Sequence, residues 1–479
     1  MPSKPRFLCM DKDDIVWQEL DNATDEWDNS IRTTEIYRAV GNLILQYRPG
    51  QPEVMHTVVK GGYNVIYRLE YRDGSSVIMR IPIKTVVPFP DKKVRYEAAV
   101  MRYIAANTTI PVPHVYHYAT GAENPIGIGP FIIMDYIDHH HNMSRELLDP
   151  TRPIDKRPVL DPQISEEKLE SLYGQMANIL LHLSALKFPR IGSLVEHDDS
   201  VFFIHTNAPP GILPSQAYGS SAEWYSALAD MHMAQSTFQH NDAVEDEDDA
   251  RDKYTARQLF RNLVTEGRLM PDLSNSEGGF RLFSEDFRPA NVLVDKNLRV
   301  VGVIDWEFAY AAPPEFSFDP PWWLLLKEPE DWPGGYKPWM EVYEPRLQTF
   351  LRVLEAEEKK MATANLAESV SSLTLGDRRE TEPRLSQRMR ESWEKRTWMI
   401  NYAARKSWAF DCIWWKFLDE SYFGPNDNQD YQARLECLSG PQRSVMESFF
   451  TWKMEDSRNQ ESRAWVEKDA EDRLAELLV

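Results

Sequence analysis

The chain has 479 residues, of which 42% are apolar, and its 75 acidic and 54 basic residues give a formal net charge of −21 at pH 7. This length and apolar content predict two or three folded units with a buried core, not a disordered chain. The surplus of acidic residues argues against binding to nucleic acid, which requires clustered Lys and Arg. It favours a cationic or neutral small molecule, or an anion that is held with the help of a metal.

The cysteines and the apolar segments of the sequence indicate in which cellular compartment the protein is found. Cys9, Cys412 and Cys437 are too few and too far apart to indicate a disulfide framework or a zinc site, and they favour a reducing compartment. The first residues lack the apolar stretch of a signal peptide, and no later segment approaches the roughly 18 apolar residues of a membrane span. We therefore expect a cytoplasmic protein without a membrane partner.

The first part of the chain is predicted to be a helix followed by a small antiparallel sheet. Residues 33–50 place apolar side chains at helical spacing and end at a Pro-Gly pair. Residues 56–71 and 75–82 alternate as strands, with a Gly-Gly pair inside the first strand and a turn between the two. An amphipathic helix is predicted over 91–107 and a short apolar strand over 129–138.

The second part is predicted to be mostly helical. Residues 139–165 are rich in Pro, Asp and Arg and indicate a long loop, and residues 166–186 form a helix with a broad apolar face. The acidic run 241–249 is interpreted as a solvated surface segment, with a cation-attracting rim as the alternative. Residues 371–383 are predicted to form a surface loop. Five aromatic residues of the remaining helices are interpreted as core and not as a ligand cage: Trp398, Tyr402, Trp408, Trp414 and Trp415.

These patterns divide the chain into four parts. They are an N-terminal helical extension over 1–50, a sheet-containing lobe over 51–138, a mainly helical lobe over 139–345 and a C-terminal helical extension over 346–479. The expected fold class is α+β with two lobes, a small antiparallel-sheet lobe and a larger helical one.

The segment SEDFRPANVLVDKNLRVVGVIDWEF, residues 284–308, carries the clearest chemical signal. The runs VLV and RVVGVI are rich in β-branched residues and the DKN between them is typical of a turn, so the segment predicts a hairpin. A hairpin brings its two ends together, and it therefore places Asn291 beside Asp305. Asp286, five residues before Asn291, is expected on the loop beneath them.

The three side chains suit one kind of chemistry. An amide oxygen and a carboxylate at adjacent strand ends can bind Mg²⁺, which prefers oxygen ligands together with substrate phosphates. A further carboxylate, on Asp286, can orient or deprotonate an attacking hydroxyl, and the combination indicates phosphoryl transfer. Each residue alone is more often a turn former or a cap, but the joint spacing is far more restrictive.

Through the spacing D-x-x-x-x-N followed by I-D-W, the sequence resembles the aminoglycoside phosphotransferase family, and within it the fungal phosphotransferase-domain branch. The resemblance runs from about residue 57 to residue 417. It implies a bilobal protein-kinase-like fold in which Asp286 is the catalytic base and Asn291 and Asp305 bind the metal ions. It also implies that Asp319, in FSFDPPWWLLL, is a structural residue that supports the catalytic loop.

The first lobe offers residues for a nucleotide. Glu97 lies on the apolar stripe of its helix, so its charge requires a partner, and Arg80 on a neighbouring strand is the candidate. The resemblance implies that this pair holds the α and β phosphates of ATP, that a glycine loop covers them with backbone N–H groups, and that a hinge holds adenine. The loop residues are Gly61, Gly62, Tyr63 and Asn64, and the hinge residues are Asp135, Tyr136 and Ile137.

Three positions depart from the family pattern. Ser284 stands where a His is usual, Arg80 where a Lys is usual, and Glu307 where a Gly is expected. The Arg80 change matters most, because a guanidinium is a broad fork and not a compact point charge, so a nucleotide could sit differently or bind weakly. A nucleotide-binding scaffold without activity therefore remains as a second interpretation.

A third interpretation is a metal-dependent hydrolase that uses the same acids. Such an enzyme is usually expected to have a His cluster. His139, His140 and His141 are contiguous, and we expect their side chains to point in alternating directions on a solvated loop.

The favoured prediction is an enzyme that uses ATP and Mg²⁺ to phosphorylate a hydroxyl group of a small molecule. The acceptor is expected in the helical lobe, in a cleft of acidic and aromatic groups that include Glu307, Asp319 and Trp322. Choline-like, sugar and amino-alcohol acceptors remain open, because the residues that would select among them lie in the divergent regions 165–253 and beyond Pro320.

Overall fold

The computed structural model describes residues 14–153, 157–195, 216–239, 243–270, 279–371, 383–459 and 466–479. Its first part contains the helices α1 (Asp14–Ser30), α2 (Thr34–Tyr47) and α3 (Pro90–Asn107). The strands of this part are β1 (Pro52–Met55), β2 (Val59–Lys60), β3 (Asn64–Tyr71), β4 (Ser76–Pro82), β5 (Val115–Ala119) and β6 (Phe131–Asp135). They form one antiparallel sheet in the order β1-β3-β4-β6-β5, and β2 pairs with β3.

The two faces of this sheet are covered by different helices. On one face Met79 of β4 shares a core with Val40 of α2. On the other face Ile78 of the same strand shares a core with Met101 of α3. Because side chains alternate along a strand, Arg80 lies on the same face as Ile78 and points toward α3.

The second part is mainly helical and contains two small antiparallel sheets. Its strands are β7 (His141–Asn142), β8 (Lys187–Phe188), β9 (Phe280–Ser284), β10 (Val292–Val294), β11 (Val300–Val303) and β12 (Ala309–Ala312). Their orders are β11-β10-β7 and β12-β9-β8. The helices up to residue 371 are α4 (Met143–Leu147), α5 (Glu166–Ala185), α6 (Ser221–Phe238), α7 (Glu247–Thr265), α8 (Pro314–Ser317) and α9 (Tyr336–Ser371). The predicted α+β class is confirmed.

The C-terminal helices follow as α10 (Leu385–Lys395), α11 (Thr397–Arg405), α12 (Phe410–Ile413), α13 (Asp419–Phe423), α14 (Gly440–Asn459) and α15 (Glu467–Leu477). Four of the aromatic residues predicted as core are buried here, namely Trp398, Tyr402, Trp414 and Trp415, whereas Trp408 is half-buried. Among the described helices, none combines the length and the apolar composition that crossing a bilayer requires.

Polar caps fix where several helices begin. The side chain of Thr33 caps α2, that of Ser165 caps α5 and that of Asp246 caps α7, each by accepting a hydrogen bond from a backbone N–H of the first turn. Helix α3 instead begins at Pro90, a residue that suits the first helical position because its missing N–H would have no partner there.

Residues 139–165 are not one long loop, contrary to the prediction. They contain β7, in which Asn142 pairs with Leu293 of β10, and the short helix α4. Two-residue strands and five-residue helices are too short to produce a readable period in the sequence. The pairing matters because it attaches the segment after β6 to the hairpin that carries the candidate site.

The expected alternation of the three histidines is also wrong. His139 Nδ1 lies 2.8 Å from the carbonyl oxygen of Ile137, whereas the rings of His140 and His141 lie side by side with their centroids 3.9 Å apart. His140, His141 and Glu146 each offer one potential metal-ligand atom, and these three atoms lie within 4.8 Å of one another. The chain bends at His140 before β7 begins, so an extended-loop argument does not apply.

The acidic run is partly solvated, as predicted. Residues 245–248 are exposed, but Asp249 is buried in the first turn of α7 and accepts a hydrogen bond from Lys253 Nζ at 2.8 Å. Residues 241 and 242 of the run, and 372–382 of the predicted surface loop, lie outside the described residues.

Candidate active site

The hairpin predicted around the polar motif is present and brings its ends together. Strands β10 and β11 pair with Val292 opposite Val303, and the N–H of Ile304 donates to the carbonyl of Asn291 at 2.9 Å. Asn291 and Asp305 therefore leave the same end of the hairpin.

Asp286 lies against this end of the hairpin and is held from two sides. The Asn291 side-chain amide donates to Asp286 Oδ2 and to the Asp286 backbone carbonyl, both at 2.9 Å. Arg288 Nε lies 2.7 Å from Asp286 Oδ1. The carboxylate thus has a defined orientation, and the Asn291 amide uses its nitrogen toward Asp286, which turns its oxygen the other way.

Asp305 occupies a strained position at the other strand end. Its φ of +68° lies in the left-handed region, which is uncommon for a residue with a side chain and clusters at functional sites. Arg80 Nη1 donates to its Oδ1 at 3.1 Å. Burial raises the pKa of Asp305; the positive charge of Arg80 opposes this effect, and the negative charges of Glu307 and Asp286 add to it.

Arg80 also forms the predicted ion pair with Glu97. Both side chains are buried, since only 8% of the Arg80 side chain and 2% of the Glu97 side chain are exposed. The guanidinium therefore connects α3 of the first lobe to the strand end that carries Asp305 in the second lobe. One residue makes both contacts because its fork presents several donors.

The glycine loop connects to the second lobe through Asn64. The Gly61 N–H closes the loop on the Asn64 carbonyl at 2.8 Å, and Tyr63 packs edge-on against Phe308. The Asn64 amide donates to Glu307 Oε2 at 3.1 Å and accepts from Lys93 Nζ at 2.6 Å. A Cβ added at Gly62 would meet nothing within 4 Å, so this side of the loop is open to a ligand.

Lys93 and Glu307 close this contact as a buried ion pair. Lys93 Nζ lies 2.5 Å from Glu307 Oε2, and the two side chains are only 4% and 1% exposed. Burial lowers the pKa of Lys93 to about 8, and Glu307 opposes that effect. The Glu307 side chain is thus enclosed between the lobes, and its role in binding the acceptor stays a prediction.

Of the hinge residues, Asp135 is the last residue of β6, and Tyr136 and Ile137 follow the strand. The Asp135 N–H donates to the His114 carbonyl at 3.1 Å, and the Tyr136 N–H donates to the Ser76 carbonyl at 3.0 Å. The carbonyl oxygen of Ile137 faces His139 Nδ1. Of these three residues, Ile137 is the one whose backbone N–H forms no hydrogen bond with another backbone group of the described residues, so this N–H is available to a base.

The model of the phosphotransferase enzyme family matches residues 56–356 of this chain. The chain belongs to this family. The match contains every residue assigned above to the candidate site, and it ends inside α9, so that α10 to α15 lie beyond it. The resemblance inferred from the motif is confirmed.

The curated relatives align with a shorter stretch of this chain than the family model does. The chain is 27% identical over 142 residues to a subtelomeric hrmA-associated cluster protein of Aspergillus fumigatus, which corresponds to 30% of this chain and 25% of that protein. It is 27% identical over 141 residues to the altered inheritance of mitochondria protein 9 of Komagataella phaffii, which corresponds to 29% of this chain and 22% of that protein. The aligned stretch thus spans about a quarter of the length of these relatives.

The solved structures that align with this chain are distant. A macrolide 2′-phosphotransferase type I aligns over 85% of this chain and 98% of its own, with a TM-score of 0.36 and 15% identity. An amicoumacin kinase in complex with AMP-PNP and Ca²⁺ aligns over 89% of this chain and 95% of its own, with a TM-score of 0.38 and 11% identity. Similarity at this level does not indicate what this chain binds.

Asp319 is enclosed beneath the loop that carries Asp286. It accepts hydrogen bonds from Asn401 Nδ2 at 2.7 Å and from Ser392 Oγ at 3.1 Å, and Arg405 Nη2 lies 3.5 Å away. Burial raises the pKa of Asp319 to about 7, although Arg405 and these donors act in the opposite direction. This buried position agrees with the structural role, and the role of Asp319 at the acceptor stays a prediction. Trp322 is half-buried, and its role at the acceptor stays a prediction.

Three residues of the candidate site were not predicted from the sequence. Lys93 lies four residues before Glu97 and therefore on the same helical face, a signal that was available. Arg288 lies inside the D-x-x-x-x-N spacing, where nothing marked it as a partner of Asp286. Arg405 has no local signal, because it is 120 positions from the residue that it contacts.

Proposed function

We propose that this chain is an ATP- and Mg²⁺-dependent phosphotransferase that transfers a phosphoryl group to a hydroxyl of a small molecule. The convergence of Asp286, Asn291 and Asp305 at one end of the hairpin carries this proposal. Family membership supports phosphotransferase chemistry in general.

The charges at the site fit a divalent cation. Four carboxylates, on Glu97, Asp286, Asp305 and Glu307, face three cations, on Arg80, Lys93 and Arg288, which leaves one negative charge in excess. Within the described residues, Glu97 Oε1 and Glu307 Oε1 are buried without a hydrogen-bond partner. The Asp305 carboxylate and the Asn291 amide oxygen form the hard oxygen donor set that Mg²⁺ prefers. Bound there, Mg²⁺ would neutralise charge on the phosphates.

Asp286 would act on the acceptor. Its carboxylate is oriented by Asn291 and Arg288, so that it can accept a hydrogen bond from the acceptor hydroxyl. The hydroxyl oxygen forms the new bond to the γ-phosphorus, the bond between the γ-phosphorus and the β–γ bridging oxygen breaks, and ADP leaves. The proton of the hydroxyl passes to Asp286 and from there to solvent.

The first lobe would hold the nucleotide. Arg80 is fixed by Glu97 and points toward Asp305, which places its positive charge where the phosphates approach the metal-binding end. The loop over Gly61, Gly62, Tyr63 and Asn64 would cover the phosphates, and Ile137 would offer its backbone N–H to adenine. Positioning and charge stabilisation account for most of the catalysis of phosphoryl transfer.

One observation favours the alternative, a nucleotide-binding scaffold without activity. Arg80 Nη1 bonds Asp305 directly, so the acid that would bind the metal is already neutralised. If the guanidinium stays there, a nucleotide would be bound with the help of Arg80 but without Mg²⁺ and without turnover.

Calorimetric titration of ATP with and without Mg²⁺, followed by an ADP-release assay over choline-like, sugar and amino-alcohol acceptors, separates the two functions. Affinity that rises with Mg²⁺ together with turnover on at least one class supports the phosphotransferase. Equal affinity with and without Mg²⁺ and no turnover supports the scaffold. No binding at all rejects both.

A further inference from the structure

The C-terminal helices reach back to the loop that carries Asp286. Arg405 is the last residue of α11, outside the residues that match the family model, and only 8% of its side chain is exposed. Its Nη1 donates to Glu285 Oε2 at 2.8 Å, and its Nη2 lies 3.5 Å from Asp319 Oδ2. One guanidinium thus bridges the residue before Asp286 and the buried acid beneath the loop.

Glu285 is fixed by further bonds. Its Oε1 accepts from the Tyr310 hydroxyl at 3.1 Å, and its N–H donates to the Phe308 carbonyl at 3.2 Å. Lys406 Nζ lies 3.9 Å from its Oε2. Because the Cα atoms of consecutive residues lie a fixed distance of about 3.8 Å apart across a trans peptide, a fixed Glu285 restricts where the backbone of Asp286 can lie.

The guanidinium itself is held by two aromatic rings. Arg405 Cζ lies 4.8 Å from the ring centroid of Phe283 and 5.0 Å from that of Phe316, distances typical of cation–π contacts. Asp319 is bonded in turn to Ser392 and Asn401, which belong to α10 and α11. The C-terminal helices therefore supply three of the side chains that support the loop from below.

We propose that Arg405 is a positioning residue that holds the Asp286 loop through Glu285, so that the C-terminal helices α10 and α11 form part of the catalytic apparatus. This inference rests on the proposed function for its kinetic consequences only.

A local measurement tests the positioning role without any activity. Hydrogen–deuterium exchange of peptides that cover residues 284–291 is compared in the wild type, Arg405→Met and Arg434→Met. Arg434 is the matched control, because it is also a buried arginine of the C-terminal part, bonded to Asp419 at 2.7 and 2.8 Å, and it does not contact the loop.

We expect Arg405→Met to raise exchange in the 284–291 peptides by about tenfold, on the order of one lost charge-assisted hydrogen bond, and Arg434→Met to leave them unchanged. Equal exchange in the wild type and Arg405→Met, or the same increase in both variants, would overturn the inference. Should Arg405→Met fail to fold, Glu285→Gln weakens the same ion pair at its partly exposed partner. Unchanged exchange of the 284–291 peptides in that variant would equally overturn the inference.

Kinetics give a second readout if the chain turns over ATP. Displacement of Asp286 should lower kcat by about 10- to 100-fold and leave the KM for ATP within about threefold, because orientation is lost while the nucleotide site is intact. Arg405→Lys should recover part of kcat. A loss confined to KM would contradict the positioning role, whereas inactivity of the wild type would reject the proposed function and leave the exchange result standing.

Discussion

Lys93 Nζ lies 2.5 Å from Glu307 Oε2, and both side chains are almost completely buried. The pair joins helix α3 of the first lobe to the residue two positions after Asp305 in the second, and Asn64 adds the glycine loop to the same contact. The distance between the glycine loop and the end of the hairpin that carries Asp305 is thereby fixed by side chains of both lobes.

Lys93→Met should lower the free energy of unfolding by about 3–5 kcal/mol, because it leaves the Glu307 carboxylate buried without its cation. Glu307→Met should cost a similar amount. The double variant should cost clearly less than the sum of the two, since it removes both charges. Urea titrations of the four proteins measure this coupling, and strictly additive losses would show that the pair does not act as a unit.

Arg80→Lys tests the contact between Arg80 and Asp305. A single ammonium group can remain paired with Glu97 but cannot also span to Asp305 as the fork does. Asp305 is then released, and the gain in ATP affinity on adding Mg²⁺ should increase by roughly fivefold, on the order of 1 kcal/mol. Calorimetry with and without Mg²⁺ measures this, and an unchanged or smaller gain would count against the metal role of Asp305.

His232 should make stability depend on pH. Its Nε2 donates to the Ala404 carbonyl at 2.9 Å, and burial, together with the nearby charge of Arg257, lowers the pKa of His232 to about 3. In the unfolded chain the ring takes up a proton below about pH 6.5, whereas the folded chain stays neutral. The unfolded state therefore binds more protons between these values, and stability falls as the pH falls through this window.

The expected contribution is a loss of about 1.4 kcal/mol per pH unit between pH 6 and pH 4. His232→Gln keeps a donor for the Ala404 carbonyl and cannot be protonated, so the difference between the two unfolding curves isolates this effect from that of the carboxylates. Parallel pH dependence of the wild type and the variant would contradict it.

Predictions from the sequence succeeded where the regular period of a strand or helix determines the direction in which a side chain points. The Arg80–Glu97 pair was predicted because alternation along β4 and the apolar stripe of α3 place both side chains on facing surfaces. The approach of Asn291 to Asp305 followed from hairpin geometry in the same way. Both predictions concern strands and helices whose buried and exposed faces can be assigned from the sequence pattern.

Such predictions failed where the partner is set by tertiary packing. The partners of Glu307 and Asp319 were not predicted, because Lys93 and Arg405 lie 214 and 86 positions away from them in the chain. The short strand β7 was missed because two residues show no period, and the neighbouring rings of His140 and His141 follow from the bend of the chain at His140.

Turnover by Asp286→Asn tests the central claim most directly, namely that the Asp286 carboxylate acts on the acceptor hydroxyl at the end of the hairpin. The variant keeps the size of the side chain and can still contact Asn291, but it cannot take up a proton. We expect ATP binding by calorimetry to stay within about threefold and phosphoryl transfer to fall by at least about 100-fold. Transfer at the wild-type rate with intact ATP binding would contradict the account.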